Sequence, residues 1–475
     1  MKLNTKRTVY VGFAFLLICM FWGVYDAVIP KMLVNTFGLN QTWSGVIMAL
    51  DNVLALFLLP IFGTLSDKTK NKRGRRTPFI IIGTITAAVL VTGVALIDFA
   101  QLNEITANGI TPVLRANFET QEAFDAAWAT RQSMVAQVTQ SNIFLLVAFI
   151  GVLLLVLIAM ATFRSPAVAL MPDVTPKPLR SQANAIINLM GTAGGIIALG
   201  LMAVLSKDFK EYVLLFAVLA VLMLVFLALF LWKVNEPKLV ETMHQESEEA
   251  GYVVETVEED EKKGIKTGIA GLDPKVKKSF FLILFSVFFW FMAYNAATTK
   301  YSLYAQNVLG MGYTLPLLVA QAAAVVAFIP IGKIASKFGR RKTILAGVVI
   351  LVVAFVIGSF LNVQTRALSY VVMALAGIGW ATINVNSYPM VVEMGKEGDV
   401  GKFTGYYYTA SMAAQIITPI LSGAFMDLAG TMTVLFPYCA ILAAVAFVTM
   451  FFVKHGDSKP IPKKKALENF DNPDD

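Results

Sequence analysis

The sequence predicts an all-α membrane protein with twelve transmembrane helices in two pseudo-symmetric six-helix bundles. Its composition is the first reason: 57% of the 475 residues are hydrophobic and 15% are charged, whereas soluble domains carry about 25% charged residues. Long apolar runs are the second reason, because a spanning helix needs about 20 such residues. The runs are continuous and lack the alternation of a barrel strand, so helices satisfy the backbone in lipid. Motifs that recur in both halves are the third reason.

The predicted spans divide the chain into two bundles. Residues 1–233 form the N-terminal bundle, 234–278 a charged linker, 279–455 the C-terminal bundle and 456–475 a tail. Asp26 and Pro30 interrupt the first run, which has no small-residue cleavage site and is therefore helix 1, not a signal peptide. The spans cover roughly residues 8–35, 43–65, 78–99, 142–164, 183–205, 212–233, 279–304, 313–335, 343–362, 367–391, 402–425 and 433–454.

Lysines and arginines predict the orientation in the membrane. The loop between helices 1 and 2 has neither lysine nor arginine, whereas the loops after helix 2 and after helix 8 are strongly basic. These basic residues are Lys68, Lys70, Lys72, Arg73, Arg75 and Arg76 after helix 2, and Lys337, Arg340, Arg341 and Lys342 after helix 8. Basic loops stay in the cytoplasm, so we expect a multi-pass protein of the plasma or inner membrane with both termini cytoplasmic. The net charge of +8 then reflects topology, and no nucleic-acid partner is expected.

Two segments lie outside the predicted bilayer. The linker carries an acidic run and ends in lysines, a pattern typical of a solvated, flexible segment, with a regulatory or partner role as the alternative. Residues 100–141 form a loop on the outside. Its apolar residues recur at helical spacing, which predicts an amphipathic helix on the outer surface; they are Ala123, Phe124, Ala127, Trp128, Met134 and Val135.

The two halves repeat each other. Tyr25-Asp26-Ala27, followed by Lys31, corresponds to Tyr294-Asn295-Ala296, followed by Lys300. Pro166 in helix 4 corresponds to Pro389 in helix 10. A glycine, a serine and a Gly-Arg-Arg sequence end both helix 2 and helix 8, at Arg75-Arg76 and Arg340-Arg341. Such parallel repeats are typical of transporters whose halves rock about a midplane site.

The loop after helix 2 resembles the signature loop of the major facilitator superfamily. There Asp67 is expected to pair with a basic residue or to cap a neighbouring helix, so that Asp67, Arg75, Arg76, Arg340 and Arg341 latch one conformation. The alternative is a plain topology signal. Residues 43–79 are similar to the sucrose-transporter branch of the glycoside–pentoside–hexuronide:cation symporters. That resemblance rests on Trp43, Pro60-Ile61-Phe62-Gly63, Ser66-Asp67-Lys68 and Gly74-Arg75-Arg76-Thr77-Pro78-Phe79, and on Arg164-Ser165-Pro166-Ala167, Arg180 and Ala183-Asn184-Ala185.

The sequence also departs from that family. Melibiose-type sodium symporters carry carboxylates where this chain has Ala55 and Leu59, so the resemblance does not supply a sodium site and favours protons. Sucrose carriers place an acid in helix 4, whereas Leu157 stands near that position here.

Two intramembrane acids are the candidates for proton coupling, because charges in a span are costly and mark a pathway. Asp51 lies twelve residues before Gly63, near mid-membrane at about 1.5 Å per residue, and Asp26 lies farther outward. The repeat places neutral Asn295 at the Asp26 position and Ala320 and Gln321 at the positions of Asp51 and Asn52, which favours protonation in the N-terminal half. The alternative is a structural ion pair of Asp26 with Lys31.

A sugar site needs hydrogen-bonding groups and an aromatic face. The candidate residues are Tyr25, Asn52, Trp290, Tyr294, Asn295, Gln321, Trp380, Asn384, Asn386, Tyr388 and Gln415, each with helix packing as the alternative. Asn384 and Asn386, just before Pro389, are the better candidates. Arg164 is expected to act as a gate residue at the cytosolic end of helix 4, or as a snorkelling anchor.

Missing motifs narrow the function. No phosphate-binding loop is present, both cysteines lie in spans, and both histidines lie outside them, so we expect no ATP-driven pump, catalytic residue, metal site or cofactor. Helix 5 has glycines but lacks the Gly-Pro motif of drug–proton antiporters, which favours uptake. The sequence therefore predicts a monomeric, proton-coupled sugar or glycoside symporter. The alternatives are an exporter, a sodium-coupled carrier of another solute, and a sensor that binds sugar without transporting it.

Overall fold

The computed structural model describes residues 3–176, 180–206, 210–249, 269, 272–392, 394 and 400–456, and within these ranges it leaves out several side chains, those of Asp67, Arg180 and Asn184 among them. The described part of the chain is helical. The helices of the first half are α1 (Thr5–Lys31), α2 (Gln41–Lys68), α3 (Thr77–Ala107), α4 (Gln121–Ser141), α5 (Ile143–Asp173), α6 (Arg180–Leu205) and α7 (Val213–Lys233). The others are α8 (Glu236–Glu249), α9 (Pro274–Tyr304), α10 (Thr314–Phe338), α11 (Arg340–Gly358), α12 (Leu368–Val392), α13 (Val400–Ala429) and α14 (Leu435–Phe451).

Eleven of the described helices are long and apolar enough to cross a membrane. The predicted span 313–335 corresponds to α10, whose apolar part Thr314–Phe328 is shorter than the others. Together these twelve helices confirm the all-α fold class. We call the end of the molecule where α1 ends and α2 begins the outer end, and the opposite end the inner end.

Six of these helices pack into each half. In the first half α1 packs against α6 and α3 against α5, and in the second α10 and α11 pack against α12 and α9 packs against α14. The halves meet along three pairs: α2 with α13, α6 with α10, and α1 with α9. A Cβ at Gly45 of α2 would collide with the backbone of Pro419, and one at Gly423 of α13 with the backbone of Gln41. Small residues thus let the halves approach closely near the outer end.

Helices α1 and α9 end in the same unusual way. Each is followed at once by a five-residue π-helical segment, Met32–Thr36 after α1 and Ala305–Leu309 after α9. π-Helical turns are rare and are frequently found at functional sites. The repeat visible in the sequence is therefore also a repeat of local backbone geometry, at the outer end.

The first part of the predicted linker needs a correction, whereas residues 250–268, with the second acidic run, lie outside the described part of the chain. Helix α8 occupies its first part, and Glu236, at the start of α8, is 2% exposed. Its carboxylate accepts hydrogen bonds from the backbone N–H groups of Arg75, Arg76 and Thr77 at 2.8, 2.9 and 2.8 Å. Glu246, farther along α8, pairs with Arg7 at 2.9 Å. The N–H groups in the first turn of a helix have no partner within the helix and bind carboxylates. The number of acidic residues in the linker does not reveal such a contact.

The outer loop folds as predicted into a helix, α4, but its apolar face packs on protein. Phe124 and Val135 are buried, whereas Ala123 and Met134 of the predicted face are exposed. Arg131 donates a hydrogen bond to the carbonyl oxygen of Asn35 at 3.1 Å, and burial lowers the pKa of Arg131 to about 10. Helix α4 therefore covers the outer end of α1.

Candidate functional site

The first half concentrates charge at one place between α1, α2 and α5. Asp26 of α1 is partly exposed, and the charged groups that act on it are Asp51 of α2 and Arg164 of α5. Tyr25 is buried beside both aspartates. Two carboxylates and one guanidinium thus share a site within the membrane, where charges are expensive and mark function.

Each member of this cluster has a further contact. The Oδ1 atom of Asp51 accepts hydrogen bonds from the backbone and side-chain nitrogens of Asn52, at 2.6 and 2.7 Å. The Arg164 guanidinium lies 5.6 Å from the centre of the Trp22 ring, within the range of a cation–π contact. Trp22 is a site residue that the sequence did not single out, because a tryptophan in a span is usually a packing residue.

The position of Arg164 corrects the prediction that it lies at the inner end of its helix. The predicted span stops at residue 164, whereas α5 continues through Pro166 and Pro172 to Asp173. Nine further residues add about 13 Å of helix, so Arg164 lies inside the bundle with the aspartates. Each proline leaves the carbonyl oxygen one turn earlier without its N–H donor, and in a spanning helix neighbouring groups can satisfy that oxygen. A helix in a membrane therefore tolerates prolines such as these.

The position of Lys31 does not agree with the alternative interpretation, in which Lys31 forms a structural ion pair with Asp26. Its ammonium group lies 4.2 Å from the centre of the Tyr313 ring, in the other half of the molecule. The charged groups that act on Asp26 are Asp51 and Arg164. Lys31 therefore contributes to the contact between the halves at the outer end.

The second half presents an aromatic surface. The rings of Tyr294 of α9 and Trp380 of α12 stack with centroids 4.1 Å apart and an interplanar angle of 4°, and Phe291 packs edge-on against Trp380 at 4.8 Å. Tyr294, Trp380 and the neighbouring Asn295 are all partly exposed. The amide nitrogen of Asn295 makes no hydrogen bond within the described part of the chain. A flat aromatic face beside an unsatisfied amide suits a ligand with both C–H and hydroxyl groups.

The remaining candidates are dispersed. Asn384 donates to the carbonyl oxygen of Trp380 at 3.2 Å and stays beside the stack. Gln321 of α10 faces Gly195 of α6, so it lies where the halves meet. Gln415 of α13 is partly exposed and donates to the carbonyl oxygen of Ser411 at 3.3 Å.

Three candidates do not fit the predicted site. Trp290 is 0% and Asn386 2% exposed, and Asn386 hydrogen bonds within its own helix to Thr382 at 2.9 Å. Tyr388 packs against Tyr407 and Tyr408, eight residues and about 12 Å farther along α12 than Trp380. A ligand on the stacked rings does not reach these side chains in this conformation.

Among the described residues, the partners of the predicted gating arginines Arg75, Arg76 and Arg341 lie within the same half as each arginine. Arg75 and Arg76 pair with Asp173 at the end of α5, at 2.7 and 2.8 Å, and Arg76 also hydrogen bonds to Ser66. Gly74 has φ +102°, and a Cβ there would collide with the Glu236 carboxylate. Arg341 donates to the carbonyl oxygen of Phe451 at 2.6 Å, and Arg340 starts α11 in the same half. Asp67 falls outside the described side chains.

The hydrogen bonds between described residues of the two halves lie at the outer end. Lys300 donates to both the backbone and the side-chain oxygen of Gln41, at 3.2 Å each. Asn35 donates to Gln306 at 3.1 Å, which joins the two π-helical segments. Asp427 of α13 accepts from the backbone N–H groups of Gln41 and Thr42 at 3.0 and 2.8 Å, and from the Thr42 hydroxyl. The structure is closed at this end.

Two repeated helical bundles of this kind are typical of secondary transporters. A model of the major facilitator superfamily matches residues 11–394, and a second match covers residues 319–472. The chain belongs to this superfamily. Members of this superfamily are membrane carriers of small molecules, and eleven described helices of this chain are long and apolar enough to cross a membrane.

Curated relatives match over part of the chain. The chain is 26% identical over 181 residues to the sucrose transport protein SUC3 of Arabidopsis thaliana, which is 38% of this chain and 26% of that protein. It is 31% identical over 134 residues to the MFS-type transporter ppzB of Metarhizium rileyi, which is 28% of this chain and 27% of that protein. The chain thus matches about a quarter of the length of each of these two relatives.

Solved structures share the fold over nearly the whole chain. The inward-open xylose transporter XylE from E. coli aligns with a TM-score of 0.61 and 14% identity, covering 97% of both chains. The nucleoside transporter NupG aligns with a TM-score of 0.57 and 14% identity, covering 95% of this chain and 100% of that one. At this identity the likeness shows the fold alone.

Proposed function

We propose that this protein takes up a sugar or glycoside together with protons, by alternating access. The observation that carries the proposal is the contrast between the two halves at corresponding positions of α1 and α9. One half supplies two carboxylates beside an arginine, and the other supplies the Tyr294–Trp380 stack beside the free amide nitrogen of Asn295. The similarity to a sucrose transport protein over 181 residues supports a sugar as the substrate.

In the proposed cycle Asp51 and Asp26 carry the proton. With the outer end open, a proton binds this pair and sugar binds the stacked rings. Neutralising a carboxylate lowers the cost of closing the site within the membrane, because an isolated charge is the most expensive group to remove from water. The halves then rock and release both ligands at the other side. Arg164, which acts on both aspartates, balances their charge when the proton leaves.

The structure represents the state of this cycle that faces the cytoplasm. We assign the outer end to the outside of the plasma or inner membrane, as the basic loops at the inner end indicate. Contacts between the halves close the outer end, whereas the hydrogen bonds between described residues of the two halves do not extend to the inner end. Both termini are then cytoplasmic, and one chain is sufficient because both parts of the site belong to it.

Sugar-induced proton entry tests the proposal. Proteoliposomes containing the purified chain are given sucrose, maltose, other glycosides or simple hexoses, and the lumenal pH is followed with a trapped dye. We expect acidification of the lumen with at least one sugar and no response in empty liposomes. If sodium replaces protons in this assay, or if folded protein transports none of the sugars, the coupling or the substrate class is wrong.

A further inference from the structure

A second polar cavity lies at the outer end, away from the central site. It has a volume of about 420 Å³, within the range of small-molecule sites. Its walls come from both halves of the molecule. The first half contributes the end of α1, the start of α2 and the covering helix α4, and the second half contributes the π-helical segment after α9 and the end of α13.

Buried amide groups in this cavity lack partners. Asn307 is 2% exposed, and its side-chain oxygen accepts no hydrogen bond from the described part of the chain. Gln132 of α4 lines the opposite wall, and both its amide oxygen and its amide nitrogen are buried without a partner among the described residues. Buried polar groups are nearly always hydrogen bonded, and an unsatisfied one costs about 1–3 kcal/mol. One acceptor and one complete amide are thus available to a ligand.

The acidic residues of the cavity are already engaged. Asp427 accepts hydrogen bonds from the start of α2 and faces the ammonium group of Lys300. Asp125 accepts hydrogen bonds from Gln121 and Thr431 and lies near Arg115, and burial raises its pKa. Because both carboxylates have these partners, the cavity does not favour a free cation.

The chemistry of the free groups selects a neutral hydroxylated ligand. Hydroxyl groups both donate and accept, as the Gln132 amide and the Asn307 oxygen require. The lining also includes the indole of Trp128 and the apolar side chains of Val34 and Leu39, which suit the C–H faces of a ring. We propose that this cavity is a second sugar-binding site, on the outer surface and separate from the central site.

A ligand in this cavity acts on the conformational cycle. Because both halves supply its walls, opening the outer end divides the site, and a ligand stabilises the state that it binds better. Sugar in the cavity therefore keeps the outer end closed and slows the return to the outward-facing state. For a sugar that is also transported, the rate of uptake then rises to a maximum and falls again as the external sugar concentration increases. Binding at the cavity itself does not require the proposed transport function.

Variants on α4 separate this site from the central one. Gln132→Leu removes the free amide at nearly constant volume, and removing an unsatisfied polar group does not destabilise the fold. Gln137→Leu is the matched control, an exposed position of the same helix outside the cavity. Trp380→Ala removes the central aromatic face and leaves the outer cavity intact.

The test is equilibrium binding of radiolabelled sucrose and maltose to the full chain in nanodiscs. We expect a component of sugar binding that persists in Trp380→Ala, is unchanged in Gln137→Leu and weakens at least tenfold in Gln132→Leu. Equal binding by the Gln132→Leu and Gln137→Leu variants overturns the proposal, as does the absence of sugar binding to folded Trp380→Ala protein. If the chain transports no sugar but this component is present, the outer site holds and the proposed transport function fails.

Discussion

The two halves share one fold but differ in what they place at the centre. Asp26 in α1 corresponds to Asn295 in α9, and Arg164, two residues before Pro166, corresponds to Ser387, two residues before Pro389. Arg164 faces the two aspartates, whereas Ser387 is buried and hydrogen bonds to Tyr407 at 3.0 Å. The first half thus has charged side chains at these positions, whereas the second half has neutral ones that suit contact with an uncharged ring. Repetition of a fold leaves the chemistry of each copy free to diverge.

Replacing the two aspartates of the first half is the most direct test of this difference between the halves. We expect Asp51→Asn and Asp26→Asn each to abolish accumulation of the sugar, so that its inside-to-outside ratio falls to about one. A potential of 100 mV supplies about 2.3 kcal/mol per charge, which is more than tenfold accumulation when coupling is intact. The measurement is concentrative uptake into proteoliposomes with an imposed potential and pH gradient.

Sugar exchange without a gradient is the control for folding and binding in these variants. It should continue, because the aromatic face is intact. Glu122→Gln, an exposed acid on α4, should accumulate sugar like the unchanged protein. Full accumulation by both aspartate variants would show that the charge of the first half has no part in coupling.

The aromatic face of the second half should determine affinity without affecting coupling. Trp380→Ala removes the ring that stacks on Tyr294, and we expect the KM for sugar to rise about tenfold. Aromatic contacts contribute about 0.5–1.5 kcal/mol beyond the area they bury. Saturating sugar should still drive proton entry at the same stoichiometry. The control is Trp232→Ala at the end of α7, where the side chain is 73% exposed; an equal rise in KM there contradicts a specific role for Trp380.

The two repeated lysines offer a comparison at the outer end. Lys300 hydrogen bonds to Gln41 and Lys31 contacts the ring of Tyr313. We expect Lys300→Met to favour opening of the outer end about tenfold, since hydrogen bonds from a charged donor contribute about 1.5–3 kcal/mol. Lys31→Met should also favour opening, because it removes the contact with the Tyr313 ring, and a cation–π contact contributes about 0.5–2 kcal/mol.

Cysteine accessibility measures this opening. Val34→Cys, 2% exposed at the outer end, is made in a Cys19→Ser and Cys439→Ser background, and its alkylation by an impermeant maleimide is timed. The exposed Ser133→Cys reports the intrinsic reaction rate. Labelling of Val34→Cys at the unchanged rate in both the Lys300→Met and the Lys31→Met variants contradicts the prediction.

The sequence predicted the fold more completely than the site. Apolar runs and the basic loops follow from the bilayer alone, so the predicted spans correspond to twelve helices of the structure. Asp26, Asp51, Tyr294 and Trp380 were accessible to prediction because charge and aromatic rings within a span are conspicuous. Trp22, Lys300 and Asp427 were not, since their roles depend on partners more than 100 positions away in the chain. Asp98, an acid in α3 that lies fully buried near Thr36, is not singled out by its sequence context.

Glu236 shows why the linker was misjudged. Its charge is the same as that of Glu248 or Glu249, and only the start of α3 makes it different, because three backbone N–H groups there donate to the Glu236 carboxylate. A count of charges along a sequence cannot identify such a partner, because the partner belongs to the backbone of another segment.

The smallest predicted effect therefore concerns this contact at the inner end. Glu236→Gln keeps the shape of the side chain but removes its charge, and we expect a loss of about 1–3 kcal/mol of local stability in the first half. Hydrogen exchange of the Arg75, Arg76 and Thr77 amides should accelerate by about tenfold or more. Glu246→Gln, which breaks the pair with Arg7, should cost about 1 kcal/mol or less, and the exposed Glu248→Gln nothing measurable. If Glu236→Gln leaves these amides as protected as in the Glu248→Gln control, the docking of α8 does not stabilise the loop that distinguishes the first half from the second.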